Sequence, residues 1–264
     1  MSQSENPLLD DIDLFSDLLA SVGTHLKDRP LSPYEVSNCI VRLQNETGET
    51  WEQISSRLSL GKKKTNNFYK KTDTTMVNKF IKLQKLTKKR VYSIGWGEAS
   101  EDMVGFTSAS DISKLTNEED QIKLFDAILE SAQNSSGKKL GKEDVKKIIE
   151  EKSKSIQTPI EEIIQSVMGK KFSSESHFLI GLKINNEILK RLQQITDEKN
   201  TDLTLVLNES IFPNNSIMKA RINDKKTLWL TTNESTFHIF ESNWKKEKLS
   251  MTAYFNKLFQ EGTK

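Results

Sequence analysis

Apolar positions recur every three or four places over roughly the first 170 residues and alternate beyond them, a change from helical to strand periodicity. Leu8, Leu9, Ile12, Phe15, Leu18, Leu19 and Val22 form one face of an amphipathic helix with aspartates between them. Ser32-Pro33-Tyr34-Glu35 has the form of a capping box with proline at the first helical position, and Val36, Ile40, Val41 and Leu43 carry that helix to Thr47-Gly48. Thr50 with Gln53 opens a shorter helix bearing Ile54 and Leu58. Leu60-Gly61 then marks a turn, and 62–71 reads as a second short helix with Phe68 and Tyr69 packed inward, which completes a helix-turn-helix. Met76, Val77, Phe80, Ile81 and Leu83 give a further basic helix, and Trp96 between two glycines reads as a loop residue covering the core. Helices are expected again over 108–115, from a Thr116 and Glu119 capping box through Leu129, around Val145, Ile148 and Ile149, and from Thr158-Pro159 through Val167.

After Gly169-Lys170-Lys171, the residues Phe178, Ile180, Leu182 and Ile184 alternate, and 186–199 returns to a helix with Ile188, Leu189, Leu192 and Ile195 on one face. Residues 182 to 240 admit two readings. In one, Leu182-Lys183-Ile184, a helix from Glu187 to Asp197 and a helix from Asp202 to Ile211 resemble the ribbon-helix-helix pattern of small dimeric DNA binders. In the favoured one, Leu203, Leu205 and Leu207 alternate as a strand, because the strands at 217–222, 227–231 and 237–240 need partners. That reading gives β-α-β-β-β-α, closed by a helix over 244–259. The expected class is α+β, with an all-helical N-terminal helix-turn-helix domain followed by a small mixed α/β C-terminal domain. Its boundaries are an acidic N-terminal helix at 1–29, a helical domain at 30–171 and an α/β domain at 172–264.

The length of 264 residues suits two modest cores. With 29% charged and 35% hydrophobic residues and a mean hydropathy of -0.58, the chain is neither disordered nor membrane-spanning by composition. No apolar run reaches the length of a membrane helix and the first residues are acidic, so a cytoplasmic location with no membrane partner is expected. Cys39 is the single cysteine, read as a buried structural thiol, and His25, His177 and His238 lack metal-ligand spacing. No cofactor or metal is expected.

A net charge of +2 conceals a strong segregation. Between Lys62 and Arg90 there are eleven cations against the single anion Asp73, a segment of about +10 with about -8 left for the rest of the chain. Lysines that displace counterions from phosphates add sequence-independent, salt-sensitive affinity. Thr65, Asn66 and Asn67 are side-chain types able to reach base edges, asparagine being suited to adenine. The bland alternative is a solvated lysine-rich helix.

Leu31-Ser32-Pro33-Tyr34-Glu35, Thr50-Trp51-Glu52-Gln53-Ile54-Ser55-Ser56-Arg57-Leu58, Phe106-Thr107-Ser108-Ala109-Ser110-Asp111-Ile112 and Glu118-Glu119-Asp120-Gln121 together resemble the helical DNA-binding domain of ParB-type partition proteins and KorB-like regulators over roughly residues 30 to 150. The resemblance implies a palindromic DNA site, a second helix of the helix-turn-helix in the major groove, and a DNA-facing set of Lys62, Lys63, Lys64, Asn66, Asn67 and Lys70, to which base-edge chemistry adds Thr65 and charge adds Lys71. Thr65 stands where that family has an apolar core residue, and Trp51 where a phosphate-contacting glutamine is common. The family's N-terminal nucleotide-binding domain has no counterpart in the residues before Leu31, so a nucleotide-driven clamp is not expected.

An enzyme is not expected. The sequence lacks a nucleophile elbow, a glycine-rich phosphate loop and an HExxH motif. Asp202, Glu209, Asp224 and Lys226 have the residue types of a metal-dependent nuclease cluster, but acids beside a lysine are common in turns. His238 reads as a surface or half-buried strand residue. The expected function is sequence-specific DNA binding in DNA partition or transcriptional regulation, on a nucleoid or plasmid. The expected partners are double-stranded DNA, a second copy of the chain and a partition ATPase. The alternative is a protein-interaction adaptor whose C-terminal domain carries the main function.

Overall fold

Side-chain caps fix where several of the helices begin. A computed structural model describes residues 12–22, 29–60, 63–66, 69–100, 102–133, 139–169, 177–212, 217–223 and 226–262. The fold is α+β, and the chain divides into two units, Met1–Thr87 with Ile94–Ser174, and Lys88–Ser93 with Glu175–Lys264.

The first unit contains α1 (Ile12–Val22), α2 (Pro33–Thr47), α3 (Trp51–Arg57), β1 (Lys63–Asn66), β2 (Tyr69–Thr72), α4 (Thr75–Lys82) running into a 3-10 turn (Leu83–Lys85), β3 (Ile94–Gly95), β4 (Val104–Gly105), α5 (Phe106–Ile112), α6 (Glu118–Gln133), α7 (Lys142–Lys154) and α8 (Ile160–Met168). Ser32 and Glu35 exchange both capping-box bonds at the start of α2, at 3.3 and 2.9 Å, and Gly48 ends the helix in the left-handed region at φ 66°. Thr50 and Gln53 do the same for α3, at 3.3 and 2.8 Å. Each such cap contributes about 1 kcal/mol. At α6 the cap is Asn117, whose Oδ1 accepts the Asp120 N–H at 3.1 Å, and not the expected Thr116.

Leu31, Tyr34, Val36, Ile40, Leu43, Ile54, Val77 and Phe80 form the core between α2, α3 and α4. The Ser37 hydroxyl donates to the Phe80 carbonyl at 2.6 Å and fastens α2 to α4. Trp96, in the loop between β3 and β4, covers this core as expected. Its ring meets Phe80 and Phe106, each at a centroid distance of 5.8 Å, and its Nε1 donates to the Leu31 carbonyl at 2.9 Å. The first unit is therefore mainly helical but not wholly so, since it contains the β1-β2 hairpin and the short parallel β3-β4 pair.

The second unit contains a 3-10 turn (Val91–Ser93), β5 (Phe178–Lys183), α9 (Asn186–Lys199), α10 (Leu203–Ser210), β6 (Ile217–Ile222), β7 (Thr227–Thr232), α11 (Glu234–Lys246) and α12 (Met251–Gly262). Its strands form one antiparallel sheet in the order β5-β7-β6. Phe178, Ile180 and Leu182 are buried at alternate positions of β5 and lie opposite Thr232, Leu230 and Leu228 of β7.

Three expectations for this unit are corrected. The stretch Leu203 to Leu207 is helical and not a strand, because the Asp202 carboxylate accepts the N–H groups of Thr204 and Leu205 at 2.7 and 3.0 Å and caps α10. The partner that β7 needed is β6 on one side and β5 on the other, so no strand at Leu203 is required. Likewise 237–240 lies in α11, capped by Asn233, with Phe237, Phe240 and Trp244 buried at helical spacing; His238 thus sits exposed on a helix. The closing helix is two helices, interrupted by Lys248 at φ 56°, and Ser250 Oγ accepts from the Ala253 N–H at 3.1 Å. The resulting order is β-α-α-β-β-α-α, whose first three elements agree with the ribbon-helix-helix alternative.

The boundary at 171 also omits a piece. Lys88–Ser93, assigned by proximity to the helical domain, belongs with the second unit. Leu179 of β5 donates its N–H to the Lys89 carbonyl at 3.3 Å, and Arg90 is fully buried with Nη1 donating to the carbonyls of Lys89 and His177. Tyr92 is 2% exposed, with its ring against Phe237 and Trp244 at 5.4 and 5.3 Å. Burial of that ring, and not sequence order, decides where the segment packs.

Candidate nucleic-acid interface

The basic segment folds as a hairpin where a second helix of a helix-turn-helix is expected. Lys63, Lys64, Thr65 and Asn66 form β1, and Lys70 and Lys71 lie in β2; Lys62 and Asn67 fall outside the described residues. The register pairs Lys63 with Thr72, Lys64 with Lys71, Thr65 with Lys70 and Asn66 with Tyr69. The composition accounts for the difference. Thr65, Phe68, Tyr69 and Thr72 are β-branched or aromatic residues that favour strands, and asparagine competes with helix formation through local backbone bonds while tolerating turns. Six of the eight residues assigned to DNA contact thus share one two-stranded ribbon, and none of the six is on a helix.

The ribbon is anchored at its exit. Ser55 of α3 donates its hydroxyl to the Asp73 carbonyl at 2.8 Å, directly after β2. The Asp73 carboxylate accepts from the Thr75 N–H at 2.8 Å and the Thr75 hydroxyl at 2.5 Å, at the first residue of α4. The single acid of the basic segment is therefore engaged in forming the next helix. Arg42 pairs with Glu46 at 2.7 Å within α2, and Arg57 of α3 pairs with Glu49. Beyond the ribbon, Lys82 and Lys85 are exposed on α4 and its 3-10 turn, while Lys79 is half-buried. Gln84 Nε2 holds that turn to α2 by donating to Ser37 Oγ and Asn38 Oδ1 at 2.8 and 2.9 Å.

Not every cation counted from the sequence belongs to this surface. Arg90 is internal to the second unit, and Lys88 and Lys89 also belong to that unit. Burial holds the Lys88 ammonium below its ordinary pKa, with Glu241 acting in the opposite direction.

The acids and lysine of the nuclease-like grouping have other roles. Asp202 caps α10, and hydrogen bonds from the Leu205 and Thr204 N–H groups hold its carboxyl below the usual range. Glu209 accepts from Lys199 Nζ at 2.7 Å, Lys226 occupies a turn at φ 56°, and Asp224 lies outside the described residues. His238 lies 3.6 Å from Glu234 and 3.7 Å from Glu241 on the same helix face. Among the described residues no group of three or more His, Cys, Asp or Glu side chains is disposed to hold a metal ion, and no helix is long and apolar enough to cross a membrane. No family model, curated protein or solved structure matches the chain, so its functional reading rests on its own residues.

Proposed function

We propose that the chain binds double-stranded DNA through the lysine-rich ribbon β1-β2, acting in DNA partition or transcriptional regulation. One observation carries this reading. The densest cationic run of the chain, Lys63, Lys64, Lys70 and Lys71, is folded onto two adjacent strands with Lys64 directly opposite Lys71. Like charges at facing register positions destabilise a hairpin by roughly 0.2–1 kcal/mol, a penalty that a polyanion reverses. A two-stranded ribbon fits the major groove of B-form DNA, where Thr65 and Asn66 supply groups suited to base edges and the lysines neutralise phosphates. A second copy of the chain on a two-fold site, and a partition ATPase as a further partner, belong to the same proposal.

Titrating a labelled duplex with the full chain at several salt concentrations tests it. Each lysine that displaces a counterion contributes about 0.9 to the slope of log K against log salt. Changing Lys63, Lys64, Lys70 and Lys71 together to alanine is expected to lower that slope by about 3 to 4 and to weaken binding most at low salt. An unchanged slope in a variant that keeps the parent's circular dichroism would remove the ribbon from the interface.

A further inference from the structure

The basic run does not end with the ribbon. Helix α4 and its 3-10 turn contain Lys79, Lys82 and Lys85 and no acidic residue. Val77, Phe80 and Leu83 are buried, which leaves the opposite face of the helix in solvent. Thr75, Asn78, Lys82 and Lys85 are exposed at helical spacing on that face, and Lys79 is half-buried at its margin. Among the described residues none of the three lysine ammonium groups has an acidic partner or a hydrogen bond. The helix begins three residues after β2 ends, so it adjoins the ribbon within one unit.

The backbone beneath these lysines is held in place. Ser37 donates to the Phe80 carbonyl, Gln84 donates to Ser37 and Asn38, and Gln121 Nε2 donates to the Lys85 carbonyl at 3.1 Å. Charges on an immobilised helix lose little backbone freedom on binding, which favours affinity. The uncharged side chains of the same face are turned back on the chain. The Thr75 hydroxyl donates to Asp73 Oδ1 at 2.5 Å, and Asn78 Nδ2 donates to Thr74 Oγ1 at 3.1 Å. What the face presents outward is therefore cationic, the chemistry of phosphate contact rather than of base-edge readout. From Lys79 to Lys85 the helix and turn advance about 10 Å along the axis, a length over which one strand of B-form DNA carries about three phosphates.

We infer that this face of α4 is a second DNA contact, which runs along the phosphate backbone with Lys79, Lys82 and Lys85 on its charges while the ribbon occupies the groove. The inference rests on the proposed function for the identity of the polyanion, and on α4 alone for the contact. It adds affinity and no sequence preference.

The test is fluorescence anisotropy of labelled duplexes of several sequences with the full chain across a salt series. It compares the parent, Lys82→Ala with Lys85→Ala, Lys82→Arg with Lys85→Arg, and the four-lysine ribbon variant. The alanine pair changes exposed side chains only and is expected to lower the salt slope by about 1.8. Raising salt fourfold should then cost it about tenfold less affinity than it costs the parent, by the same factor on every duplex. The arginine pair keeps the charge and should keep the slope. If the alanine pair retains the parent's slope and affinity, the inference fails, and a lower melting temperature in that variant would then assign the lysines to the negative end of the helix. A loss that reorders the duplexes by affinity places α4 against base edges and overturns the backbone contact. The inference fails equally if the alanine pair loses binding to phosphatidylserine vesicles while its duplex binding is unchanged, since the partner is then a lipid surface. Loss of all duplex binding in the ribbon variant with no effect of the alanine pair overturns the inference and leaves the proposed function standing. The reverse pattern keeps α4 and removes the ribbon, and a parent chain that binds no duplex overturns both.

Discussion

Replacing Tyr92 by alanine tests whether a short segment from the middle of the chain completes the core of the second unit. The ring is 2% exposed, stands edge-on to Trp244 at 5.3 Å and tilts against Phe237 at 5.4 Å, and its hydroxyl donates to Glu241 at 3.2 Å. Truncating a buried aromatic to alanine costs about 3–5 kcal/mol through lost transfer energy and the cavity left behind. Tyr92→Phe removes only the hydroxyl bond and should cost about 1 kcal/mol, which separates packing from hydrogen bonding. Hydrogen exchange measured by peptide mass spectrometry reads the effect locally. Faster exchange is expected in β5 and β7, with α2 unaffected. Faster exchange in α2, α4 and α5 with β5 and β7 unchanged would refute the assignment of Lys88–Ser93 to the second unit.

Buried bonds and caps give two further expected outcomes. Gln121 is 3% exposed; its Oε1 accepts the Thr87 N–H at 2.7 Å, and its Nε2 donates to the carbonyls of Leu115 and Lys85 at 2.7 and 3.1 Å. Gln121→Ala leaves these three backbone groups without that partner and should destabilise the first unit by about 3 kcal/mol or more, read as a lower urea midpoint at unchanged m-value. The carboxyl of Asp202 is held low by the N–H groups it accepts, so its stabilising effect is complete above its ordinary value of 3.8 and is lost as pH falls through the depressed one. Asp202→Asn, which still caps, should flatten the acid limb of the stability profile in thermal melts between about pH 5 and pH 2.

The elements legible in the sequence are those whose caps are encoded within four residues. Ser32 with Glu35 and Thr50 with Gln53 announce α2 and α3, and both capping boxes are formed. Alternation also locates β5, since Phe178, Ile180 and Leu182 face one core. Leu203 to Leu207 misleads because three leucines at alternate positions satisfy strand periodicity, whereas Asp202 already supplies a helix cap. Phe237 and Phe240 are three apart, and over only four residues strand and helix cannot be told from spacing; Trp244 at the next helical position distinguishes them. Nothing local marks Lys88–Ser93, because His177, which accepts from Arg90, and Glu241, which accepts from Tyr92, lie more than 80 residues away in sequence.

The candidate site divides in the same way between what charge encodes and what geometry requires. Counting residues locates the lysines, since charge is additive and independent of conformation. The fold of the segment depends instead on whether Asn66-Asn67 turns the chain or continues a helix, and the glycine turn at Leu60-Gly61 makes a helix-turn-helix the natural reading. On a helix, 63 and 64 would stand about two turns from 70 and 71 along the axis. On the ribbon, Lys64 faces Lys71 and Thr65 faces Lys70 in adjacent register positions, which concentrates the charge in one place. Neighbouring strands lie about 4.8 Å apart, well inside the Debye length of about 8 Å at physiological salt, so the lysines of the two strands contribute to one local field.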